Sequence, residues 1–131
     1  MDSLLKIFNE EEIANIMNIN SGIKDVSNSH VDSLIKILDE LGLNNKVLRN
    51  VVMSNPFYLT RDVDDILDLV NCLKEYRVKN INIILDTYPL FLNLYRSDID
   101  LFIDIKSSEG MAIGDIIEII ESEPYVIDEI V

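Results

Sequence analysis

Four aspartates fall within seven residues, at Asp62, Asp64, Asp65 and Asp68. Carboxylates this close together are the raw material of a calcium loop. An EF-hand loop needs acids at alternating positions, a central glycine and a late glutamate. The stretch has no glycine, and Val63, Ile66, Leu67, Val70 and Leu73 recur through it at helical spacing. It therefore reads as acids at the positive end of a helix dipole, and Asp98, Asp100 and Asp104 repeat the arrangement. His30 is the only histidine and Cys72 the only cysteine. A zinc site or dyad built on two histidines is excluded, and so is an intramolecular disulfide. Cys72 sits among Leu69, Val70 and Leu73 and reads as a small buried hydrophobe. His30 reads as an exposed residue in a first helical turn. Gly110 and Gly114 are not followed by the Gly-Lys-Ser/Thr of a phosphate loop. No catalytic, cofactor or metal site is expected, and the chain reads as a non-enzyme.

The charges speak of binding instead. The 131 residues carry a net charge of −13, unevenly placed. Residues 1–42 hold eight acids and three lysines, and residues 43–106 hold nine acids and eight bases. Residues 107–131 hold seven acids and no base. Such a field repels phosphate backbones and anionic membranes and attracts basic protein surfaces. Asp115, Glu118, Glu121 and Glu123 are the candidate protein-binding residues. The bases that could line a nucleic-acid stripe are Lys46 and Arg49, one turn apart, with Arg77 and Lys79 at the equivalent point of the next repeat. Arg61 and Arg96 follow two proline turns.

The elements that must position these residues are helical. Asp2 or Ser3 can cap a short helix carrying Leu4, Leu5, Ile7 and Phe8. Asn9 and Glu10-Glu11-Glu12 open a second, with Ile13, Ile16 and Met17 as its stripe. Asn18 to Gly22 reads as a turn, with Ile23 and Val26 in the connection. Ser27, Asn28 or Ser29 caps the clearest helix, in which Val31, Leu34, Ile35, Leu38 and Leu41 keep the 3.6-residue period. Gly42 suits the left-handed position past its end. Asn44 or Asn45 caps Val47, Leu48, Val51 and Val52. Thr60 or Asp62 caps the next long helix, and Asn80 caps Ile81, Ile84 and Leu85. Ser97 caps Ile99, Phe102 and Ile103. Ser107 to Gly114 reads as a loop, and Asp115 starts a helix with Ile116, Ile117, Ile119 and Ile120.

One phrase punctuates the series. Asn55-Pro56-Phe57-Tyr58-Leu59, Tyr88-Pro89-Leu90-Phe91-Leu92 and Glu123-Pro124-Tyr125-Val126-Ile127 contain all three prolines, spaced 33 and 35 residues apart. The residue before each proline is pushed out of the helical region. The apolar residues after it read as a buried turn or 3₁₀ segment carrying Phe57, Tyr58 and Leu59 inward. Tyr58, Tyr88 and Tyr125 belong to these phrases, so packing is expected of them rather than base stacking. A shift of 35 lays Asn20-Ser21 on Asn55-Pro56, so a degenerate first copy precedes the others. A fixed period of this kind marks a stacked helical repeat. The expected fold is all-α, a right-handed-type helical repeat array of helix, proline turn and helix. Its single domain, 1–131, divides into units near 1–41, 42–76, 77–109 and a partial 110–131.

Leu41-Gly42-Leu43, Pro56, Tyr58-Leu59 and Leu73 fall in an order that resembles the repeat of the mitochondrial transcription termination factor (mTERF) family. Val78, Pro89, Phe91-Leu92 and Ile103 follow the same grammar, and Ile113, Pro124 and Val126-Ile127 begin a third pass. The resemblance covers residues 41–131, with a weaker extension to the N-terminus. It implies a solenoid that binds double-stranded nucleic acid along a basic concave face. This chain departs from that pattern in its charge, and its third unit offers no base.

Two functions follow. The first is an acidic helical-repeat module that docks on another protein with a basic surface, as an inhibitor or nucleic-acid mimic. The alternative is an mTERF-like nucleic-acid-binding protein using Lys46, Arg49, Arg77 and Lys79. Self-association through the open last unit, giving a homo-oligomer, is a third option. The apolar runs are too short to span a membrane. With no signal or transit segment and one cysteine, the expected location is the cytoplasm.

Overall fold

The computed structural model describes residues 2–131. They form nine α-helices and three 3₁₀ turns, with no strand among the described residues. They group into two compact units, Met1–Val63 and Asp64–Val131.

The first unit contains α1 (Asp2–Leu5), α2 (Glu10–Ile19), a 3₁₀ turn Ser21–Asp25, α3 (Asn28–Glu40), α4 (Asn45–Ser54) and a 3₁₀ turn Pro56–Thr60. Its helix starts follow the capping chemistry. The Glu12 N–H donates to Asn9 Oδ1 at 2.8 Å, and the Asn9 N–H donates to Glu12 Oε1 at 3.0 Å, a reciprocal capping box. Ser27 Oγ accepts from the His30 N–H at 3.0 Å, and Asn44 Oδ1 from the Val47 N–H at 2.9 Å. Asp2 and Ser3 lie inside α1 rather than capping it. The Ser3 hydroxyl donates instead to the Asn28 carbonyl at 3.2 Å, which seats α1 on the start of α3.

The second unit contains α5 (Val63–Glu75), α6 (Ile81–Thr87), a 3₁₀ turn Pro89–Asn93, α7 (Arg96–Ser108), α8 (Ile113–Ser122) and α9 (Val126–Ile130). Three starts differ from the sequence expectation. Asp98 Oδ2 accepts from the Tyr95 N–H at 2.8 Å, so α7 begins at Arg96 and Ser97 lies within it. α8 begins at Ile113 rather than Asp115, placing Gly114 inside its first turn instead of in the loop. Asn80 precedes α6 with left-handed backbone (φ 57°), and its side chain makes no capping bond.

The period is visible in the backbone itself. Asn20, Asn55, Tyr88 and Glu123 end α2, α4, α6 and α8 with φ between −127° and −140° and ψ between 56° and 85°. Each donates its N–H four residues back, to Ile16, Val51, Ile84 and Ile119. Ser21 follows the first of the four where proline follows the rest, so the bend does not depend on proline alone. The stretch expected to be a plain turn is therefore a full copy of the 3₁₀ phrase, with Ile23 completely buried. The Asn20 amide holds it in place, donating to the Pro56 carbonyl at 3.1 Å and to Thr60 Oγ1 at 3.0 Å.

A second periodic mark closes the long helices. Gly42, Arg77 and Gly110 follow α3, α5 and α7 with φ of 89°, 59° and 93°. The next residue donates back five positions each time: Leu43 to Leu38, Val78 to Leu73 and Met111 to Lys106. This is the Schellman closure, in which glycine is favoured because it has no Cβ to clash.

The core follows the apolar stripes, with corrections: Leu5 is half exposed, and on α3 Ile37 is buried while Ile35 is only half-buried. On α5 the buried residue is Leu69, while Leu67 faces solvent. The proline phrases do not bury all their apolar residues. Tyr58 and Leu59 are buried, as are Phe91 and Leu92, but Phe57, Leu90 and Tyr125 are 49%, 44% and 47% exposed. In the two 3₁₀ phrases, with three residues per turn, Phe57 and Leu90 point away when the next two residues point in, whereas Tyr125 lies in a turn that leads directly into α9.

Candidate functional site

The candidate cations are treated differently by the fold. In the first unit, Lys46 is exposed in the first turn of α4. Arg49, one turn on, is half-buried. Its guanidinium donates to the Ile7 carbonyl at 2.6 Å, pairs with Glu12, and lies 5.6 Å from the centre of the Phe8 ring. It thus satisfies a carbonyl beyond the end of α1 and ties α4 to the start of α2. The sequence pairs Lys46 with Arg49 on spacing, but the structure gives Arg49 a structural tie.

In the second unit, Arg77 and Lys79 are exposed on the link between α5 and α6. Arg77 occupies the register of Gly42 and Gly110, and Lys79 lies just before Asn80, outside any helix. They are therefore not equivalent to Lys46 and Arg49, which lie within α4. The reason is that α6 is three residues shorter than α4, so the cations fall on its approach. Lys46, Arg77 and Lys79 make no ion pair among the described residues.

Arg77 and Lys79 border an open cleft of about 300 Å³, completed by Tyr76 and by Ile113, Gly114, Ile117 and Glu121 of α8. Glu121 Oε2 accepts from the Lys79 backbone N–H at 2.6 Å. A residue expected to face a protein partner is thus half-buried beside two expected to face nucleic acid. Asp115, Glu118 and Glu123 remain exposed. This cleft was missed from the sequence, although a signal for its link was present. The 35- and 33-residue intervals that put Arg77 in register with two glycines mark this link as unusual.

A polar cluster joins α5 to α7. The Tyr76 hydroxyl donates to Asp100 Oδ1 at 2.9 Å, and Cys72 Sγ lies 3.8 Å from the same oxygen. Arg96 lies 3.8 Å from Asp100 Oδ2 and pairs with Glu75, whose hydrogen bond raises the guanidinium's pKa. Burial, and then the charge of Asp100, pushes the Cys72 thiol up to about 11. The hydrogen bond to Asp100, and then burial, pushes Tyr76 up to about 12. Cys72 is therefore a protonated, enclosed thiol at neutral pH, the opposite of an activated nucleophile.

No group of three or more His, Cys, Asp or Glu side chains is placed to hold a cation among the described residues. Asp64 and Asp65 lie in the first turn of α5. His30 is in the first turn of α3 but is half-buried rather than exposed, with Nε2 shielded from solvent. No helix is long and apolar enough to cross a membrane among the described residues.

Two comparisons with known proteins bear on these features. The sequence pattern of the mTERF family matches residues 4–129, nearly the whole chain and well beyond the span of the sequence resemblance. Comparison with curated proteins gave no match.

Proposed function

The chain belongs to the mTERF family, and we propose that it is a non-enzymatic nucleic-acid-binding protein of that type. Its repeats stack as a short right-handed-type solenoid of four units, near 1–41, 42–76, 77–109 and 110–131. Lys46, Arg77 and Lys79 contact the phosphate backbone. The observation that carries this reading is the family match over residues 4–129. It is supported by the exposure of these three cations, which are left out of the ion pairs that occupy Arg49 and Arg96. The net charge of −13 opposes it, so binding rests on few contacts and is modest. With three phosphates neutralised, the logarithm of affinity falls with the logarithm of salt at a slope of about −3. Titrating a fluorescent duplex at several salt concentrations tests this. The Lys46→Ala, Arg77→Ala, Lys79→Ala triple variant loses the binding and the slope. If the native chain binds no duplex at low salt, or the variant binds equally, the reading fails.

A second reading is that the chain docks on a protein with a basic surface, as an inhibitor or nucleic-acid mimic. It is favoured by the seven acids and absent bases of residues 107–131, with Asp115, Glu118 and Glu123 open to solvent. We further propose a cytoplasmic location, on the single cysteine of the chain.

A further inference from the structure

The charges of the second unit are sorted by element. Its five bases are Lys74 on α5, Arg77 and Lys79 on the following link, and Arg96 and Lys106 on α7. Helices α6, α8 and α9 hold none. α8 packs on both α6 and α9. Together with the turn Pro89–Asn93 and the connection Glu123-Pro124-Tyr125, these helices carry Asp86, Asp115, Glu118, Glu121, Glu123, Asp128 and Glu129, seven acids without a base.

Apolar side chains stand out within this acidic set. Leu90 and Tyr125 hold the same place in successive phrases, directly after proline, and both are about half exposed. The Tyr88 hydroxyl donates to the Asp128 carboxylate, which brings the turn that carries Leu90 against the segment that carries Tyr125. Ile83 on α6 is exposed as well. Leu90 and Tyr125 are thus only partly covered by their own unit, at the same repeat position. Arg77 and Lys79 meet this set only at the cleft beside Glu121, and an acidic rim of this excess disfavours nucleic acid and anionic lipid as what covers Leu90 and Tyr125.

We propose that α6, α8, α9 and the Leu90 and Tyr125 turns form a docking surface for a cationic amphipathic helix of another protein. The partner's apolar stripe covers Leu90 and Tyr125, and its lysines or arginines meet Asp86, Glu123 and Glu129. Charge steers the approach, while the apolar contact gives the complex its lifetime. This inference rests on the protein-docking reading and adds the partner's class and the residues that hold it.

The test uses the full chain and a labelled synthetic helix of leucine and lysine with one apolar stripe, against a scrambled peptide of the same composition. The amphipathic helix binds, and amide shifts move within residues 81–93 and 113–130. The Leu90→Asn, Tyr125→Asn pair weakens binding by about tenfold, the scale of removing two well-packed contacts. Leu101→Asn, at a residue of α7 that is 47% exposed, leaves it unchanged. Circular dichroism confirms that each variant is folded. Equal binding of the scrambled peptide, or no effect of the Leu90 and Tyr125 changes, overturns the surface proposed here. If Glu118→Gln, Glu123→Gln still weakens binding in that case, docking through charge survives alone. If neither pair has an effect, both fall. Concentration-dependent self-association of the peptide-free chain, abolished by the Leu90 and Tyr125 changes, assigns the surface to a second copy and also overturns the proposal.

Discussion

Arg77 ends α5 in the same left-handed backbone conformation in which Gly42 ends α3, 35 residues earlier. The two residues close the same Schellman motif, but only glycine does so without steric cost. A left-handed conformation costs an L-residue with a side chain roughly 1–2 kcal/mol. Arg77→Gly therefore stabilises the protein, by about 1 kcal/mol after allowing for the extra freedom of glycine in the unfolded chain. Urea unfolding checks this, and a lower midpoint would show that the arginine side chain compensates for its backbone. The same change removes one proposed phosphate contact, so stability and duplex affinity move in opposite directions.

The pH dependence follows from four groups whose folded pKa values are raised. Burial pushes Tyr58 well above its ordinary value of 10.0, and its hydroxyl donates to the Leu34 carbonyl at 2.6 Å. Tyr76 and Tyr88 rise from 10.0 to about 12, and Cys72 from 9.0 to about 11. A raised pKa means that the folded state holds the proton when the unfolded state has released it. The stabilisation is complete below the unfolded value and is lost as pH climbs through the folded one. Stability is thus insensitive to these groups up to about pH 9 and falls above it, through about pH 12 for Cys72, Tyr76 and Tyr88 and further for Tyr58. Tyr58→Phe, which keeps the buried ring, makes the fall shallower. Chemical denaturation at stepped pH measures both, and an unchanged slope in the variant would remove Tyr58 from this account.

Arg49 and Lys46 lie one turn apart and are expected to separate cleanly. Arg49→Ala breaks the ties to Ile7 and Glu12 and uncovers the Phe8 ring. The guanidinium is partly exposed, so solvent screening limits the loss to about 1–2 kcal/mol. Lys46→Ala leaves stability unchanged and lowers duplex affinity. Urea unfolding and duplex titration of both variants decide the matter. If Lys46→Ala destabilises or Arg49→Ala does not, the two roles have been assigned the wrong way round.

What could be read from the sequence was whatever repeats. Three prolines at near-equal spacing gave the helix ends, and a 35-residue shift found Asn20 as the fourth. The apolar stripe of α3 and the capping asparagines 9 and 44 lay where local chemistry puts them. What escaped were features set by partners far along the chain. Nothing near Arg49 announces Glu12, 37 residues away, and nothing near Glu121 announces the Lys79 backbone, 42 residues away. The outward turn of Phe57, Leu90 and Tyr125 was hidden for a different reason. Composition marks all three as core, and only the backbone after proline decides which side they face, a 3₁₀ turn for Phe57 and Leu90 and the lead-in to α9 for Tyr125.

Gly114 gives the last test, because sequence and structure assign it differently. As a loop glycine between Ser107 and Asp115 it would need its conformational freedom. It lies instead in the first turn of α8, without the positive φ of Gly42 and Gly110, and a Cβ built on it meets nothing within 4 Å. Neither strain nor crowding then opposes alanine, which also restricts the unfolded chain. Gly114→Ala stabilises by about 0.4–1 kcal/mol. The equivalent change at Gly110, where φ is 93°, destabilises by about 1 kcal/mol or more, since an L-residue there takes on the left-handed penalty. Thermal and urea unfolding of the two variants side by side distinguish the assignments. Destabilisation by both would return Gly114 to the loop.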